Sequence, residues 1–139
     1  MTRQWYVVAN ASRARLIEHT RGVDDWADVA DLVHAASRLP ASALASDTAG
    51  SAGHQRRGDP RDREHERFAR EIAARLEAGL AEARYDGLVL VASNPFLGEL
   101  RARLSEGVGR CVAATVAHDW TSLSDADLVA KLRTATAPH

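Results

Sequence analysis

The most restrictive stretch in this sequence is GLVLVAS at residues 87–93. A short apolar run without polar alternation is typical of a β-strand covered on both faces. Upstream, Phe68, Ile72, Leu76 and Leu80 recur every four residues, with Ala69 and Ala73 beside them and Arg and Glu on the other face. That period predicts an amphipathic helix of about six turns from Asp62 onward. Asp59, Pro60 and Asp62 punctuate its start, with acids where the helix dipole favours them.

The other segments sort around this pair. QWYVVAN (4–10) is β-branched and aromatic, and ARLIEH (14–19) alternates well enough to be its partner, with NASR as the tight turn between them. TRGVDD makes the next turn, and WADVADLVHA (26–35) reads as a third strand, with a short helix competing because Ala and Asp are weak strand formers. After residue 93, Asn94 is expected as an N-cap and Pro95 as the first helical residue of FLGELRARL, with Leu97, Leu100 and Leu104 inward. CVAATVAH (111–118) is a further strand, and Ser124 caps a last helix carrying Leu128, Val129 and Leu132. The order β-β-β-α-β-α-β-α predicts an α/β domain with a mixed five-stranded sheet and flanking helices, the order of ribonuclease H-like folds. At 139 residues, 45% of them hydrophobic, residues 1–139 make a single domain with one core.

A net charge of −1 and a pI near 6.6 give no global signal for nucleic acid or an anionic membrane, though a local basic patch is allowed. The single cysteine, Cys111, excludes an internal disulfide and a cysteine-rich zinc site, and its apolar neighbours suit a small core residue better than a reactive thiolate. The N-terminal apolar stretch is short and followed by arginines, so neither a signal peptide nor a membrane contact is expected. A reducing cytoplasm fits best.

Between the two ordered parts lies SDTAGSAGHQRRGDP (46–60), almost without apolar side chains, inside an exposed loop expected at about 39–61. Composition alone leaves it as either a flexible connector or a working loop.

Several phrases then fall in one order: WYVVANASRARL, HAASR (34–38), SDTAG (46–50), FAREIAARL (68–76), LVLVASNPFLGELRARL (88–104) and VAHDWTSLSDADL (116–128). Over nearly the whole chain they resemble the bacterial host attachment protein family. NPFLGELR behind a buried strand is the most specific piece. That resemblance names a role in attachment to host cells but no chemistry. It also implies a fold like the middle domain of archaeal and eukaryotic class I peptide-release factors, which carries a Gly-Gly-Gln tip on a loop in the same topological place. There the glycines permit close approach to the peptidyl-transferase centre and the glutamine helps to place water at the peptidyl-tRNA ester.

The nearest match here is Gly53-His54-Gln55, with Arg56, Arg57, Arg61 and Arg63 as RNA or phosphate contacts. His54 departs from the motif, adding a β-carbon where backbone freedom is needed. The resemblance therefore implies, at most, a peptidyl-tRNA-hydrolase-like activity resting on Gln55, with the ribosome or tRNA as partner. Without a decoding domain, stop-codon recognition by this chain alone is excluded. The competing reading is a non-enzymatic interaction protein that affects attachment indirectly.

Other chemistries find less support. A two-metal nuclease needs acids converging at the strand ends, where this chain has Asn10, Ser93 and Asn94, and only Asp119 after the last strand. No histidine pair has zinc spacing, so neither metal nor cofactor is expected. His118-Asp119 reads as a turn or capping pair. His34 and Arg38 match the family's His-x-x-Ser-Arg phrase and mark a cleft candidate, with a hydrogen-bonded structural role preferred. Trp5, Trp26 and Trp120 are too dispersed for a stacking platform, and the Glu/Arg face of the long helix is a solvated, ion-paired surface. A homodimer through an edge strand such as the third completes the expectations.

Overall fold

A computed structural model describes residues 2–34 and 60–135. Three strands come first: β1 (Arg3–Ala9), β2 (Arg13–Thr20) and β3 (Asp25–Val33). Then follow α1 (Pro60–Ala81), β4 (Gly87–Ala92), α2 (Phe96–Arg103), α3 (Glu106–Cys111), β5 (Val112–Val116) and α4 (Asp125–Ala135). The strands form one mixed sheet in the order β3-β2-β1-β4-β5. The first three pair antiparallel, and β4 runs parallel to both β1 and β5.

Side-chain alternation on β1 divides the core. Trp5, Val7 and Ala9 face α1, α2 and α3, meeting Phe68, Ile72, Leu76, Leu100 and Val108. Tyr6 and Val8 face the other side, where Leu128 and Leu132 of α4 pack with Val89 and Val91. β4 is buried almost end to end because helices lie on both sides of it, as its composition required.

The segment whose composition left strand and helix in competition is a strand. Its weak β-formers are overruled by pairing with β2 along its whole length and by a two-pronged bond in which Arg13 donates Nε–H and Nη2–H to Asp31 at 3.1 and 2.8 Å. It ends at Val33, two residues earlier than expected. The turn before it places Gly22 and Asp24 at positive φ, 100° and 53°.

Two local expectations are corrected. Pro95, not Asn94, is the N-cap residue of α2, after a cis Asn94–Pro95 peptide; the turn is closed by the Leu97 N–H donating to the Ser93 carbonyl at 3.0 Å, without a side-chain cap. The strand expected over 111–118 is preceded by a short helix, α3, and covers only Val112–Val116. EGVGRC contains two helix-weakening glycines, yet Ser105 caps it by accepting the Val108 N–H at 3.2 Å while its hydroxyl donates to Glu77 of α1. With Val108 fully buried, tertiary anchoring outweighs the low propensity. Cys111 ends this helix, half-buried, with its thiol directed to the Gly107 carbonyl at 3.6 Å.

Candidate functional site

The fold brings the end of β3 and the first turns of α1 together. His34 follows β3, and its backbone N–H donates to the Ser12 carbonyl at 2.9 Å. Its ring stacks on the Phe68 ring at 5.2 Å with a 29° tilt, and Nε2 hydrogen-bonds Glu64 at 3.0 Å. Glu64 also accepts from Arg67 at 3.2 Å. The end of β3 and the first turns of α1 are therefore strapped together, although His34 and Glu64 lie 30 residues apart in sequence.

Beside the strap, His65 of α1 with Pro95, Phe96 and Glu99 lines a hollow of about 150 Å³. Ion pairs tie its two walls: Arg103 meets Glu66 at 3.1 Å and Glu99 at 2.8 Å. The hydrogen bond it donates to Glu99 raises the Arg103 pKa above its ordinary value, against the desolvation that lowers it. The strap is thus mounted on a braced helix pair.

The ends of the parallel strands hold a second polar group. Asn10 caps the turn after β1, its Oδ1 accepting the N–H of Ser12 and of Arg13, each at 2.8 Å. Its Nδ2 donates to Asp119 at 3.1 Å and Thr121 at 3.0 Å, and Thr121 gives Asp119 its backbone N–H and hydroxyl at 3.0 and 2.6 Å. Burial pushes the Asp119 pKa up, but these hydrogen bonds outweigh it and hold the carboxyl below its usual range. The group is a self-satisfied stitch between β1 and the loop before α4. Among the described residues no three His, Cys, Asp or Glu side chains are grouped to hold a metal ion.

The expected site residues divide accordingly. Arg38, Gly53, His54, Gln55, Arg56 and Arg57 lie outside the described residues. Arg61 falls in the first turn of α1, and Arg63, two residues on, is exposed at the root of the same segment. His34 is buried and strapped, a hydrogen-bonded role. Sequence reasoning did not find Glu64 as its partner, because no short spacing links them. It also passed over Arg15, a buried guanidinium that donates to the Leu123 carbonyl at 2.9 Å and to Asp125, pinning α4 to the sheet.

Comparison with known proteins settles the lineage. A family model described as "protein required for attachment to host cells" matches residues 5–132. The chain belongs to that family. No curated protein matches it. Among solved structures, one titled "Archaeal protein" is similar at a TM-score of 0.56 and 10% identity, over 97% of this chain and 34% of that one. The archaeal translation termination factor aRF1 is similar at a TM-score of 0.51 and 10% identity, over 96% of this chain and 41% of that one. The family's fold here is thus that of a release-factor domain, and the chain spans well under half the length of either structure. Among the described residues no helix is long and apolar enough to cross a membrane.

Proposed function

We propose that this host-attachment family member is a cytoplasmic RNA-contacting factor that acts on the ribosome or its tRNA through residues 53–63. The strap carries the reading: His34 on Glu64 at 3.0 Å joins the end of β3 to the first turns of α1, the two elements between which Gly53, His54 and Gln55 fall in sequence. Arg56, Arg57, Arg61 and Arg63 supply phosphate contacts. The release-factor likeness of the fold supports the choice of target, and Gln55 takes the role of orienting water at the peptidyl-tRNA ester.

Ribosome co-sedimentation and peptidyl-tRNA hydrolysis test this with the wild-type chain, Gln55→Ala and an Arg56→Ala/Arg57→Ala double variant. Wild type co-sediments and is released by salt, the arginine variant does not co-sediment, and Gln55→Ala binds without hydrolysing. Failure of the wild type to co-sediment at low salt overturns the RNA assignment and leaves the family role to protein interactions. Equal hydrolysis by wild type and Gln55→Ala overturns the catalytic role alone.

A further inference from the structure

β1 carries one residue out of character with the rest. Gln4 alternates onto the α4 side of the sheet with Tyr6 and Val8, and it is only 6% exposed. Its Oε1 accepts from Arg21 Nη2 at 3.1 Å. A guanidinium only donates, so this bond turns the amide oxygen toward Arg21 and leaves the NH2 group facing elsewhere. Among the described residues Nε2 has no hydrogen-bond acceptor. Every fully enclosed side-chain nitrogen or oxygen among them is partnered, so Nε2 opens onto the hollow that Gln4 lines. A buried donor in that state is costly to the fold and points to an acceptor from outside the chain.

That hollow, of about 370 Å³, sits between the sheet and the last turn of α4, at the opposite end of β1 from Asn10. Arg21 and Asp86 also line it, and both are exposed. Asp86 accepts the Arg3 backbone N–H at 2.8 Å. Among the described residues, however, neither Asp86 nor Arg21 forms an ion pair, with each other or with a third group. Arg13, Arg15, Arg103 and Arg133, by contrast, are all paired with acids. A cation and an anion thus share one hollow without meeting. Val89, Ala114 and Ala135 add small apolar surface to it.

We propose that this hollow binds a small zwitterion, a free amino acid with an aliphatic side chain. Its carboxylate takes the Gln4 N–H and the Arg21 guanidinium, two donors held side by side by their own hydrogen bond. Its ammonium donates to Asp86, and its side chain rests on Val89, Ala114 and Ala135. Charge selects this class of ligand. A plain anion such as a phosphate would have Asp86 against it, and a plain cation would have Arg21 against it. Only a molecule carrying both signs answers both groups, and the volume suits a small one. The site lies at the far end of the sheet from the His34–Glu64 strap and stands independently of the RNA reading.

Isothermal titration calorimetry of the full chain with L-valine tests it, alongside isobutylamine and 3-methylbutanoate, which keep the skeleton but lack one charge each. Valine binds, and each single-charge probe binds about tenfold more weakly, the scale of one lost charge-assisted hydrogen bond. Asp86→Asn weakens valine binding and no longer separates valine from 3-methylbutanoate. Arg21→Gln weakens it and no longer separates valine from isobutylamine. Both positions are exposed, so both variants keep the wild-type far-UV circular dichroism. Gln4→Leu weakens valine and 3-methylbutanoate alike. A wild type that gives no heat with valine at millimolar concentration overturns the inference. So does equal affinity for valine and either single-charge probe, or wild-type valine affinity in the Arg21 and Asp86 variants.

Discussion

Gly79→Ala sets two rules against each other. In the last turns of α1, alanine is favoured over glycine by about 1 kcal/mol of helix propensity. A β-carbon at Gly79, however, would stand 2.8 Å from Cη2 and Cζ3 of Trp5 and 3.0 Å from Cε2 of Tyr85. Neither ring is free to retreat. Trp5 is 2% exposed, and its indole N–H donates to Glu18 at 3.0 Å, while the Tyr85 ring lies against it at 4.7 Å. Tyr85 is itself anchored by its hydroxyl donating to the Leu76 carbonyl at 2.6 Å. Overpacking of a rigid core costs about 1–3 kcal/mol, and this contact, against two pinned rings, belongs at the upper end. After the propensity gain, the net is a loss of about 1–2 kcal/mol, or a fall in Tm of about 3–8 °C. Thermal and urea unfolding of wild type, Gly79→Ala, Trp5→Phe and the double variant measure it. The smaller Phe ring makes room, so the double variant is more stable than the sum of the single losses predicts. A Gly79→Ala protein that melts higher than wild type, or strict additivity, refutes the steric account.

Asp24 carries a pH dependence. Hydrogen bonds from Arg133 first and His19 second lower its pKa from 3.8 to about 2, so its contribution is present above the ordinary carboxylate pKa and is lost as pH falls through about 2. The stability gap between wild type and Asp24→Asn, read as urea midpoints, is therefore widest near neutral pH and closes toward pH 2; a gap independent of pH contradicts the assignment. Asp125→Ala removes the carboxylate from buried Arg15 and an acid from the first turn of α4, and a loss of about 1–2 kcal/mol is expected in chemical unfolding. Hydrogen exchange in α4 locates that loss, with faster exchange of the amides around Leu128.

Most of the architecture was legible because it rests on periodicity. Phe68, Ile72 and Leu76 declared the buried face of α1, and the run at residues 88–92 declared a strand covered on both sides. What escaped notice depends on distant partners. α3 is made of poor helix formers and exists through Ser105 on Glu77 and a buried Val108. The strap needs His34 and Glu64, joined only when β3 and α1 meet in space, and the side chain of Arg15 is buried because a loop more than a hundred residues later supplies acceptors. Such contacts have no local pattern to read.

In open α/β sheets the crevice at the carboxyl ends of the parallel strands is the usual ligand position. Here that position is occupied by the protein's own groups. Asn10, Asp119 and Thr121 satisfy one another across the end of β1, so both Asp119 oxygens are engaged. An incoming ligand at that point would have to replace four hydrogen bonds already in place, each unmade polar group there costing about 1–3 kcal/mol. The stitch leaves that crevice closed by the chain's own hydrogen bonds.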